Sequence, residues 1–195
     1  MRGARAAALA LGVALGAAAA AAAQEPSAGG VATPARVPSS PTAIRLFLEQ
    51  RGVLVVEQLQ PLPPVPLDGG GALRVAAAFA YEPGLENQRL LGVRVDCPAA
   101  PDPAAGEPRV YLDLHEVEAL LRAMALMEGL ARDGGESEAR FRSQEGLGVA
   151  VAGPSYEVSC GDDGAPRTGL GAAGFDALRT RLEQARERLF SPAPR

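Results

Sequence analysis

The 195-residue chain has no lysine and no tryptophan, one histidine (His115) and two cysteines (Cys97 and Cys160). With one His and no suitably spaced cysteines, no zinc-type ligand set can be assembled. The absence of Lys means that neither of the glycine-rich stretches, "DGGG" (Asp68 to Gly71) and "GDDGAP" (Gly161 to Pro166), reads as a phosphate loop, which needs Lys followed by Ser or Thr. Both read as turns. Asp162 and Asp163 would suit calcium, but the alternating Asp spacing of a calcium loop is missing. Aromatic residues make up only 4 % of the chain, leaving few side chains on which bases would stack. No cofactor or metal is expected.

What the chain has in quantity is alanine, glycine, proline and arginine. "MRGARAAALALGVALGAAAAAAAQ" places Arg2 and Arg5 before an apolar run, with Ala21 and Ala23 at the positions a signal peptidase reads before Gln24. Residues 1–23 are therefore expected to be a cleaved signal peptide. The run approaches the roughly 17 to 25 residues that span a bilayer, but alanine is a weak anchor, so no stable membrane insertion is expected after cleavage. No Cys follows the run, so no lipid-modified N-terminus is expected. The expected location is periplasmic or extracellular. Loss of Arg2 and Arg5 takes the formal charge from −4 to −6, which gives little electrostatic reason to bind nucleic acid or an anionic membrane.

Residues 24–41 combine Pro, Gly, Ser and Ala without an apolar period and read as a disordered linker. "PAAPDPAAGEP", Pro98 to Pro108, reads as a shorter loop of the same kind. The remaining 42–195 are expected to form a single α+β domain. It opens with a short helix, "TAIRLFLEQR", with Ser40 as N-cap and Pro41 as the first helical residue, stopped by Gly52.

The apolar period then changes to that of strands: "VLVVEQLQ", "ALRVAAAFAY", "RLLGVRVDC" and "RVYLDL", with a Pro and Gly-rich connection from Pro61 to Gly71. A long helix follows. Asp113 and Glu116 have the spacing of a capping box, and Val117, Leu120, Leu121, Met124, Met127 and Ala131 recur on one face. The second half repeats the order with "ARFRSQ", "LGVAVAG", "YEVSC" and "PRTGL", then a helix with Phe175, Leu178, Leu182, Ala185 and Leu189 on one face. An offset of 58 lays "PRVYLDLHEVEAL" on "PRTGLGAAGFDAL". An offset of 63 lays "VRVDC" on "YEVSC". The expected architecture is two ββββα repeats, about 53–132 and 138–190, forming antiparallel sheet against two long amphipathic helices. The cysteines occupy equivalent places and, in an oxidising compartment, are a disulfide candidate.

"YLDLHEVEALLRAMALMEGLA", a short β stretch and the closing "FDALRTRLEQARERL" resemble a family of uncharacterised exported bacterial proteins over most of residues 42 to 190. That resemblance implies fold and location only. The doubled ββββα order also resembles the Whirly-type single-stranded-DNA-binding architecture. The likeness is one of topology, since this chain has no basic strand motif and carries a signal peptide, so it transfers no functional residues.

His115 lies in the first turn of the long helix beside Asp113, Glu116 and Glu118. A general base there would need a partner such as Ser143, Ser155 or Ser159, none of which sits in a nucleophile-elbow sequence. A solvent-facing residue near an acidic helix start is the simpler account. The sequence thus points to an exported noncatalytic domain that binds a protein or envelope partner or has a structural role there. A hydrolase using His115 with a serine or carboxylates is the alternative, and single-stranded nucleic-acid binding by topological analogy a further one.

Overall fold

A computed structural model of the chain describes residues 40–98, 107–133, 137–161 and 165–191. The expected signal peptide and all but the last two residues of the expected linker lie outside them, as do most of the Pro98 to Pro108 loop and Asp162 and Asp163. The order of elements is α1 (Ala43–Leu48), β1 (Val56–Pro61), β2 (Val65–Pro66), β3 (Ala72–Tyr81), β4 (Leu90–Asp96), β5 (Arg109–Asp113), α2 (Leu114–Asp133), β6 (Glu138–Arg142), β7 (Leu147–Ala152), β8 (Ser155–Cys160), β9 (Arg167–Gly169) and α3 (Gly171–Phe190).

Two antiparallel sheets result. The first runs β1-β3-β4-β5 with β2 also paired to β3, and the second runs β6-β7-β8-β9. Each half is an antiparallel meander followed by a 20-residue helix. Cys97 directly follows the third strand of the first path and Cys160 ends the third strand of the second, so the two hold the same topological place. The two-residue β2 falls within the connection expected to be irregular. Pro61, Pro63, Pro64 and Pro66 break this edge into two pieces because proline lacks the N–H a continuous ladder needs.

One apolar core joins both sheets and both long helices. Leu73, Val75, Ala77 and Phe79 of β3 and Val93 and Val95 of β4 meet Val117, Leu120, Met124 and Met127 of α2 and Phe175, Leu178, Leu182 and Leu189 of α3. Val149, Val151 and Val158 complete it from the second sheet. The two-residue side-chain period of a strand sends Ala76, Ala78 and Ala80 to the opposite face of the first sheet. There Ala78, Ala80 and Tyr111 form a second, smaller cluster with Ile44 of α1. The first sheet is therefore covered on both sides.

Three local expectations need correction. The N-cap of α1 is Thr42, whose side chain accepts from the Arg45 N–H at 3.3 Å, and not Ser40. Strand β1 starts at Val56, leaving Val53 and Leu54 exposed in the connection from α1. Leu121 is only half-buried, lying at the margin of the helical stripe.

Candidate functional site

The densest polar arrangement lies where α1 meets the outer face of the first sheet. That face has a floor of small residues. Ala78 of β3 is opposite Gly92 of β4, and a Cβ added at Gly92 would stand 2.8 Å from the Leu112 carbonyl oxygen and 3.4 Å from Ile44. The missing side chain makes the seat for Ile44. Asp113 caps α1 from the sheet: its carboxylate accepts from the amides of Ala43 (3.0 Å) and Ile44 (3.5 Å). The expected capping box on α2 is consequently only half formed. Glu116 Oε2 accepts from the Asp113 N–H at 3.1 Å, and Glu116 Oε1 accepts from the Gln144 N–H at 2.6 Å, while the Asp113 carboxylate is turned away to α1.

A second carboxylate closes the joint. Glu145 sits in the four-residue turn "SQEG" between β6 and β7. This turn is shaped by Ser143, whose N–H donates to the Leu147 carbonyl and whose Oγ accepts from the Leu147 N–H, both at 2.9 Å. Gly146 has φ +90°, and a Cβ there would run into the Gly161 carbonyl, so only glycine fits. Glu145 accepts from Thr42 N (3.1 Å), Thr42 Oγ1 (2.5 Å), Arg45 Nε (3.2 Å), Arg45 Nη2 (3.0 Å) and Tyr111 N (2.9 Å). Burial works to raise its pKa, but these bonds outweigh it and hold the carboxyl below its usual range. Arg45 also donates to the Arg109 carbonyl at 2.7 Å and lies 4.9 Å from the centroid of the Tyr111 ring.

The network continues across the sheet. Tyr111 donates its hydroxyl proton to Glu57 at 2.7 Å, Arg94 grips Asp96 with two bonds at 2.8 and 3.0 Å, and Arg109 reaches Asp96 at 3.3 Å. Burial first, then the bond to Glu57 and its charge, push the Tyr111 phenol up to about 12. Among the described residues no buried side-chain nitrogen or oxygen lacks a partner. These groups spend their bonding on one another. Chemically the arrangement is a clamp that seats α1.

The cysteines are bonded, with Cα atoms 6.4 Å apart, and the bridge ties the end of β4 in one sheet to the end of β8 in the other. Such a bond suits an oxidising compartment. Beside it lies a cleft of about 340 Å³, lined by Leu67, Leu73, Pro98, Pro108, Val158 and Pro166 together with the two cysteines, with Ser159 and Thr168 bringing hydroxyl-bearing side chains.

His115 is exposed, and its imidazole Nε2 lies 3.4 Å from Gln144 Nε2. Ser143 is buried and committed to its turn, Ser155 is exposed, and Ser159 is half-buried over Gly148. No hydrogen bond joins His115 to any of these serines among the described residues. Asp68 tucks against Gly169 and Gly171 while its N–H donates to the Gly169 carbonyl at 3.0 Å, so "DGGG" ties the β2–β3 turn to β9. The outer face of the second sheet carries Arg140, Arg142 and Arg167 interleaved with Glu138 and Glu157, with no aromatic side chain in the same rows. Among the described residues no cluster of three or more His, Cys, Asp or Glu is placed to hold a metal, and no helix is long and apolar enough to cross a membrane.

The bridge joins the two cysteines that the alternating strand patterns pair, whereas Glu145, Glu57 and the Asp113 carboxylate carry no such local mark. Their partners are 103, 54 and 70 positions away, so no local spacing signals them. Comparison of the chain with protein-family models, with curated proteins and with solved structures finds no match.

Proposed function

We propose that the chain is an exported, noncatalytic domain of the cell envelope, periplasmic or extracellular, which binds an envelope partner by taking an apolar group into the cleft beside the Cys97–Cys160 bridge. The observation that carries this reading is the cleft itself: about 340 Å³, walled by leucine, valine, proline and the disulfide, with Ser159 and Thr168 bringing the hydroxyl-bearing side chains among the described residues. Its size lies at the lower end of the roughly 300 to 1,000 Å³ typical of ligand sites, and few polar groups amid apolar lining is the usual composition of such sites. The export signal read in residues 1–23 and the disulfide support the location together.

The test is titration with a fluorescent apolar probe. Gly69 lines the cleft, and a Cβ there meets nothing within 4 Å, so Gly69→Phe sets a bulky side chain at the cleft margin without a clash at its Cβ. Saturable binding to the native protein that is lost in Gly69→Phe, at an unchanged melting temperature, is the expected result. Equal binding by both refutes the site. A hydrolytic role is tested separately with His115→Ala, which should leave the physiological effect intact.

A further inference from the structure

The cleft beside the bridge takes its walls from both halves of the chain. Leu73, Cys97 and Pro108 line it from the first half, and Val158, Cys160 and Pro166 from the second. Among the described residues no strand of one sheet pairs with a strand of the other. Beside the cleft the halves are tied by the backbone hydrogen bond from the Asp68 N–H to the Gly169 carbonyl at 3.0 Å, and by the bridge itself. The hydrogen bond adjoins Gly69 and Thr168 of the lining, whereas the bridge is part of it.

The two sulfurs are held differently. Cys97 is 4 % exposed and belongs to the main core, and its N–H donates to the Pro108 carbonyl at 2.9 Å. Cys160 is half-buried and packs against the margin of that core at the end of β8. Two thiols do not fit the space that two bonded sulfurs share, and a close-packed interior does not absorb the difference. After reduction Cys160 is therefore the side chain that gives way. Turning inward it fills the cleft; turning outward it removes part of the wall.

We propose that the Cys97–Cys160 bridge is a redox switch on the cleft: the oxidised protein takes the apolar ligand and the reduced protein releases it. This rests on the cleft being the ligand site. The reductant is an external dithiol. Its thiolate attacks Sγ of Cys160, the more exposed sulfur, the S–S bond breaks, and the electron pair passes to Cys97 Sγ, which takes up a proton. The second thiol of the reductant then displaces Cys160, which leaves as a thiolate and is protonated, and the reductant closes into its own disulfide. Two electrons and two protons reach the cysteines in all. The coupling is reciprocal: a ligand that prefers the oxidised form opposes reduction by the factor that reduction weakens its binding. Seated in the cleft, the ligand also covers the sulfur that is attacked.

The experiment uses the full chain with its bridge intact, N-phenylnaphthylamine as the fluorescent probe and dithiothreitol as the dithiol. Thiols are counted by mass after alkylation, and circular dichroism reports folding. Reduced protein that is still folded should bind the probe about tenfold or more weakly than oxidised protein. Saturating probe should slow cleavage of the bridge by a similar factor in the native chain and not in Gly69→Phe. This rate is read where cleavage outruns global unfolding, so that attack falls on folded protein whatever the stability of the reduced form. Equal binding by the oxidised and the reduced folded protein overturns the switch. So does cleavage that bound probe fails to slow, or that never outruns unfolding. A native chain that binds no probe sinks the cleft reading itself and the switch with it, an outcome distinct from binding without redox coupling.

Discussion

Replacing Glu145 by Ala should destabilise the protein by about 2 to 4 kcal/mol at neutral pH. The side chain is 7 % exposed, accepts five hydrogen bonds, and joins α1 to the edge of β5. Its removal takes the acceptor from the N–H of buried Tyr111, and a buried donor without an acceptor costs about 1 to 3 kcal/mol. Arg45 contributes less, about 1 kcal/mol, because its side chain is 29 % exposed and turns to solvent when released. Glu145→Gln keeps an acceptor for Tyr111 but presents an NH2 group to donors, and should lose about half as much.

The pH dependence gives the stronger test. The folded-state pKa of Glu145 is depressed, so its ionisation contributes fully above the ordinary value of 4.5 and is lost as pH falls through the lower folded value. Urea unfolding should therefore show a constant gap between native protein and Glu145→Ala near neutrality, closing in acid. Limited proteolysis after Arg45 or Arg51 should be faster in the variant at neutral pH, since α1 is released. A gap below about 0.5 kcal/mol, or one unchanged in acid, would refute the clamp, because exposed substitutions stay within that range.

Reduction of the Cys97–Cys160 bridge, which closes a span of 63 positions, should lower stability by about 4 kcal/mol in the chain-entropy model, and Cys97→Ala should abolish the response of the melting temperature to reductant. Leu120→Ala should cost about 2 to 5 kcal/mol in chemical denaturation, since Leu120 is fully buried on the core face of α2, whereas Glu118→Ala, on the exposed face of α2, should be nearly silent. Alkaline titration followed by ultraviolet difference absorbance should show a phenol ionising near pH 12 that Tyr111→Phe removes and Glu57→Gln moves downward, because Glu57 both bonds the hydroxyl and opposes its charge.

Strands β3, β4, β7 and β8 and helices α2 and α3 were readable because their side-chain periods are local properties of ten or twenty residues. The topological match of the two cysteines was readable for the same reason: each follows an alternating run. The clamp was not. "SQEG" is ordinary turn chemistry, and nothing within it reveals that Glu145 receives a helix 100 positions earlier in the chain. Asp113 misled in an instructive way. Its spacing to Glu116 fits a reciprocal cap on α2, and half of that cap forms, but a second helix start nearby offers its carboxylate two amides. Competition between two helix termini for one side chain is decided by tertiary position, which spacing does not contain.

The anchoring of α1 also sets an order in time. During synthesis this helix is among the first parts of the domain to appear, and six residues are too few to hold a helix alone. Its cap at Asp113 and its seat against Gly92 become available only when the first sheet has formed, and Glu145 only when β6 has turned into β7. The segment made early is therefore one of the last to settle. Until then the alanine floor of β3 lies open, and the slow phase of refolding should be the one in which α1 becomes protected from exchange, since contacts this distant along the chain close late.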